Sequence, residues 1–101
     1  MKLEWFADKI TDELADSEYY IKYAMDIKAE DSDLSKAMIK MAEDEKNHAE
    51  TLYNSAEAYY KALITAYTVM PEHIKSCMAN LKTTFTECNA CIDKLFSEYE
   101  K

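Results

Sequence analysis

The chain contains no glycine, and its single proline is Pro71. Glycine is the residue that enters left-handed backbone without steric cost, so a chain lacking it has few ways to make tight turns. A sheet protein needs many such turns, whereas long helices joined by two short connections need almost none. The expectation is therefore an all-α protein of two or three long helices. Its 101 residues suit one domain, 1–101, with a modest core. A composition 49% hydrophobic and 32% charged fits amphipathic helices, each with one apolar stripe and one wet face.

The spacing of apolar residues divides the chain into three helices, expected at about 2–29, 33–69 and 72–99. In the first, Leu3, Phe6, Ile10, Glu13, Ser17, Tyr20, Ala24 and Ile27 alternate steps of three and four, the rhythm of one helix face. Leu14, Ile21 and Met25 widen that face. The segment "EDSD" (30–33) reads as a turn, with Ser32 or Asp33 as N-cap of the second helix. The second seam reads Leu34, Met38, Met41, Glu45, His48, Leu52, Ser55, Tyr59, Ala62, Ala66 and Val69. That is roughly 35 residues and about 50 Å of helix unless it bends near Asn54 and Ser55. Met70-Pro71 ends it, because a residue before proline avoids helical geometry. The third seam, Ile74, Met78, Leu81, Phe85, Cys88, Ile92, Leu95 and Tyr99, is free of charge. The expected architecture is an antiparallel hairpin of the two longer helices with the third packed on it.

A formal net charge of −8 argues against nucleic acid, whose phosphates call for a basic face. It suits cations or a basic protein partner. Acidic residues interrupt "MKLEWFADKITDEL" before any apolar run develops, so no signal peptide is expected there, and no stretch is long enough for a membrane span. A cytoplasmic setting is the expectation, with Cys77, Cys88 and Cys91 as reduced thiols.

The first two seams carry charge. Glu13 and Glu45 occupy apolar-phase positions, and His48 lies one turn after Glu45. A desolvated, ionised carboxylate costs several kcal/mol unless something neutralises it. Lys9, Lys22, Lys28, Lys36, Lys40 and Lys46 read as lying on other faces. Either the second helix is rotated so that Glu45 and His48 sit at a wet seam edge, or a cation is bound. One Glu plus one Glu-x-x-His is half of the ligand set of di-iron and di-manganese bundles. Carboxylate oxygen with imidazole nitrogen suits iron, manganese or zinc. The third helix offers no second half, since Glu72, Glu87, Asp93 and Glu98 fall off its seam. Two chains would supply four carboxylates against two divalent ions, so the charge cancels in a homodimer or higher homo-oligomer with the site at its interface.

At these residues the sequence resembles the ferritin-like superfamily, in particular rubrerythrin and the encapsulated ferritins. "ELADSEYYIKYA" (13–24) is similar to their first ligand helix, with Glu13, Tyr20 and Ala24 in the matching positions. "AEDEKNHAETL" (42–52) is similar to the second, with Glu45 and His48 as Glu-x-x-His and Ala49 next in the chain. The resemblance implies a ferritin-like bundle completed by oligomerisation. It implies an iron centre in which Glu13 and Glu45 bind and bridge metal and His48 completes each ion's shell, with oxidation of Fe(II) by oxygen or peroxide as the activity. Tyr20 would hydrogen-bond a ligand carboxylate or reach the metal, although a tyrosine at a core edge needs no metal. Glu18 is an alternative ligand on the first helix. Encapsulated ferritins likewise hold half a site per short chain. There is no second Glu-x-x-His for a single-chain four-helix bundle, and "CIDKLFSEYEK" has no recognisable targeting tail. Short chains with one such motif also occur in phage genomes, which would place this one in a host cytoplasm.

Two further features have plain readings. Cys88 and Cys91 cannot fill a tetrahedral zinc site alone and read as small buried side chains. Trp5, Phe6, Tyr19, Tyr23, Tyr59, Tyr60 and Tyr67 exceed what a small three-helix core needs, and the surplus fits a self-association surface. Together with the negative charge it also fits a different function, that of a non-catalytic helical protein which captures a partner.

Overall fold

The computed structural model describes residues 2–101. It is all helical: α1 spans Lys2–Ile27, α2 Ser32–Ala66 and α3 Glu72–Glu100. No described residue has a positive φ, so the missing glycine is never needed. At the first connection the amides of Glu30 and Asp31 both donate to the carbonyl of Ile27, at 3.0 and 2.8 Å. Asp31 then caps α2, its Oδ1 accepting from the Leu34 amide at 3.0 Å. The cap lies one residue before the expected Ser32, because a capping carboxylate must reach an amide three residues on from extended backbone. Asp31 has that backbone (φ −144°, ψ 88°). α2 runs unbroken through Asn54 and Ser55 and stops at Ala66, where Tyr67 turns extended (φ −102°, ψ 137°). Pro71 then opens α3, its carbonyl accepting from Ile74 and Lys75.

α1 and α2 form an antiparallel hairpin whose register is fixed by two buried serines. Ser17 Oγ donates to the Ala42 carbonyl at 2.8 Å, and Ser35 Oγ to the Ala24 carbonyl at 2.7 Å. In this register Leu3, Ile10, Ser17 and Ala24 of α1 lie opposite Ala56, Ala49, Ala42 and Ser35 of α2. All eight are completely buried, and each set repeats every seven residues. The small side chains of α2 let the helices approach, and the serines return their hydroxyls to backbone carbonyls, so both buried hydroxyls are satisfied.

This pairing corrects the face read for α2. The row from Leu34 to Val69 is not the buried seam of the chain; Leu34 and Met41 are each 39% exposed and Val69 is more so. Periodicity favoured the bulky row, whereas the close approach of two helices selects the small one beside it. The face read for α1 largely matches the buried one, with Leu3, Phe6, Ile10, Glu13, Leu14, Ser17, Ile21 and Ala24 buried, whereas Tyr20 and Ile27 are only partly so and Met25 is exposed.

α3 runs parallel to α1 and covers one side of the hairpin with Ile74, Met78, Leu81 and Ile92. Phe85 stacks on Tyr53 of α2 with ring centroids 4.1 Å apart. Further along, Lys46 pairs with Asp93 and the Tyr99 hydroxyl hydrogen-bonds Ser35 Oγ at 2.7 Å. Lys46 and Tyr53 therefore point toward α3. Leu34, Met41 and His48 lie roughly opposite them around α2, along a groove that α3 leaves open. On α1 Trp5 and Tyr23 are exposed as well. No helix of the described residues is long and apolar enough to cross a membrane.

The seven-residue ladder generates a prediction. Ala49→Leu should overpack the hairpin and destabilise it by about 1–3 kcal/mol, lowering the melting temperature by several degrees for a chain this size. Ala66→Leu, at an exposed position, should change it little. Equal melting temperatures for the two variants would count against the register.

Candidate metal centre

Glu13 comes to the hairpin edge because it shares the α1 face with Ile10 and Ser17 but points to the open side. It is only 9% exposed. α2 lays Glu45 opposite it, and Glu45 carries His48 one turn on. His48 Nδ1 lies 3.6 Å from Glu13 Oε2 and 3.9 Å from Glu45 Oε1. One ligating atom from each of the three residues lies within 4.8 Å of the other two. Two ligands of one ion can be at most about 4.2 Å apart, given metal–ligand bonds of about 2.1 Å. Small inward rotations of the side chains would therefore let all three hold one cation.

The state of the polar atoms supports that capacity. Glu13 Oε2 is buried with no hydrogen-bond partner. Such an atom in a folded chain calls for an explanation, because an unsatisfied buried acceptor costs stability. The two carboxyls also perturb each other. The neighbouring Glu13 carboxylate, and then burial, push Glu45 up to about 7. The hydrogen bond from Glu45 in turn holds Glu13 below the usual carboxylate range, against the opposing effect of its own burial. Glu45 therefore holds its proton beside the ionised Glu13 until the pH approaches about 7.

The three residues singled out in the sequence, Glu13, Glu45 and His48, are thus brought together. Their surroundings differ from the expected closed core, for His48 has a side chain 59% exposed and Glu45 is only partly buried. α2 is rotated as the small-residue ladder requires, which puts Glu45 and His48 on the groove edge rather than between the helices. Glu18 faces away and pairs with Lys22 at 2.8 Å. Tyr20 is partly buried two turns beyond Glu13, with its ring edge-on to Tyr19 at 5.9 Å. Lys9 does not lie on another face, as its position in the seam pattern suggests. It sits one turn before Glu13, and its Nζ reaches Glu13 Oε1 at 3.5 Å. The signal for it is the four-residue spacing, which places Lys and Glu side by side on any helix. Burial pushes the Cys77 and Cys88 thiols up, which makes them poor nucleophiles, and Cys91 is exposed rather than buried.

The raised Glu45 sets a direction for stability in metal-free protein. The folded chain keeps a proton that the unfolded chain releases from the ordinary value of 4.5, and gives it up only at about 7. This contribution is full below the lower value and is lost as pH rises through the upper one. The melting temperature of metal-free protein should accordingly fall between pH 5 and pH 7.5 by more than that of Glu45→Gln. Parallel pH profiles for the two proteins would contradict the raised Glu45. The lowered Glu13 acts in the opposite sense, and only at more acidic pH.

No curated protein and no solved structure matches the chain. The Rubrerythrin family model matches residues 4–101, which takes in α3 as well as the two helices that carry Glu13, Glu45 and His48. With nearly its whole length matched, the chain belongs to the rubrerythrin family.

Proposed function

We propose that the protein is a ferritin-like metal-binding protein whose dinuclear carboxylate centre forms between two copies of the chain, with iron as the metal and Fe(II) oxidation as the chemistry. The observation that carries this reading is the cluster of Glu13, Glu45 and His48 at the edge of the α1–α2 hairpin, with Glu13 Oε2 buried and unsatisfied. Rubrerythrin-family proteins bind iron, and an oxygen and nitrogen donor set suits iron, with manganese and zinc as competitors. Each chain supplies three side chains. A second copy across the groove brings the same three, and four carboxylates then balance two divalent ions.

In this reading Glu13 and Glu45 would hold the ions through carboxylate oxygens and His48 through an imidazole nitrogen. An iron pair would supply the electrons that reduce oxygen or peroxide. The chain's own part is to fix the ligands and to release the Glu45 proton as the cation replaces it. Metal affinity should therefore strengthen as pH rises toward about 7, where Glu45 gives up its proton. The bulky residues at the groove edge have a role here too. Leu34 and Met41 give the second copy an apolar rim to cover, and covering it would dry the centre.

Anaerobic loading with Fe(II) or Mn(II) tests the reading. The expected result is one ion per chain and a dimer by native mass measurement, with a melting temperature several degrees higher when metal is present. Glu13→Ala, Glu45→Ala and His48→Ala should each lose most of the metal. Met41→Glu, placed on the rim and not among the ligands, should weaken dimer and metal together. Equal metal content in all variants would defeat the site. Full metal content in a monomer would defeat the shared centre while leaving the ligands in place.

A further inference from the structure

The carboxylate at the centre of the cluster already has a cation beside it. Lys9 Nζ lies 3.5 Å from Glu13 Oε1, on the side of the carboxylate away from His48. We propose that Lys9 is a resident counter-cation of the metal-free site, which pairs with Glu13 there and must withdraw when a divalent ion loads. The inference rests on the metal-binding reading and adds a residue that competes with the metal.

Three observations support it. The first is the kind of acid that Lys9 meets. The other lysine–carboxylate pairs among the described residues, Lys22–Glu18, Lys40–Asp44 and Lys46–Asp93, all end on acids that are well exposed to water. Lys9 alone among them reaches an acid whose side chain is nearly buried, at 12% exposure. An exposed pair of this spacing is worth little because water screens it; the same ammonium beside a desolvated carboxylate offsets a real burial cost.

The second is access. The Lys9 side chain is half exposed, so its ammonium sits at the solvent side of Glu13 and can swing out without opening a cavity. A lysine suits this exchange, being a single charge on a flexible four-carbon stem, where an arginine fork would hold both oxygens. The third is charge. In the metal-free chain the Lys9 ammonium is the cation nearest the buried Glu13 carboxylate. In the loaded dimer the divalent ions alone balance the carboxylates. A Glu13 that ligates metal through both of its oxygens would need the Oε1 that Lys9 now approaches, and there the ammonium and the divalent ion would repel each other.

Mn(II) is the probe, its affinity read by titration calorimetry at low ionic strength on the full chain. Lys9→Gln should bind Mn(II) about three- to tenfold more tightly than wild type, with the ratio shrinking as salt is added. Lys46→Gln removes the same charge from the residue next to Glu45, but that ammonium is engaged by Asp93; it should change the affinity by less than about twofold. A second readout tracks Lys9 itself: acetylation of its amine, measured by mass spectrometry, should speed up on adding Zn(II), while acetylation of Lys22 stays constant. If Mn(II) binds wild type but Lys9→Gln binds it equally or more weakly, the counter-cation role is overturned and the metal site stands. Equal gains from Lys9→Gln and Lys46→Gln would also overturn it, because any lost positive charge would then suffice. If Mn(II) binds none of the proteins, the metal reading itself fails and the role of Lys9 fails with it.

Discussion

Close contact between α1 and α2 governs the rest of this structure. Ala42, Ala49 and Ala56, with Ser35, bring small side chains to the hairpin interface every seven residues, and Ser17 and Ser35 lock the register with bonds to backbone carbonyls. Once that ladder is in place α2 has no rotational freedom left. Its bulky residues must lie on the flanks, and Glu45 must lie across from Glu13. A seam built from Leu34, Met41 and Leu52 would have separated the helices and turned Glu45 and His48 inward.

The ladder also divides the two flanks. On one, Tyr53 and Lys46 meet α3 through a stacked ring and an ion pair. On the other nothing among the described residues covers Leu34, Met41 or the acid cluster. A helical protein this small has too little core to leave such a face apolar without a use. The charged residues fall on the uncovered flank, where water reaches His48 and part of Glu45 but hardly Glu13.

Electrostatics within the cluster arises from that gradient of exposure. Glu13 is the desolvated member; hydrogen bonds from the Glu45 carboxyl and the Lys9 ammonium favour its ionised form, and the charge of nearby His48 adds to them without a hydrogen bond. Glu45 sits nearer to water yet carries the raised value, because Glu13 is beside it. Proton, ammonium and metal ion are thus alternative answers to one problem, the burial of a carboxylate at a helix edge.

The sequence by itself determined much of this. The absence of glycine favoured a helical fold, and alternating steps of three and four drew most of the buried face of α1, although Tyr20 and Ile27 are only partly buried and Met25 is exposed. The phase of Glu13, Glu45 and His48 against their neighbours picked out a charge problem before any contact was known. What the sequence could not decide was the rotation of α2. Two rows one residue apart, Leu34 to Val69 and Ser35 to Ala56, share the same period, and hydrophobicity favours the bulkier. Only the approach distance between two packed helices selects the smaller row, and that distance belongs to neither helix alone. The same holds for Lys9, whose spacing to Glu13 was visible throughout. Its importance depended on how deeply Glu13 is buried, which the neighbouring helix sets.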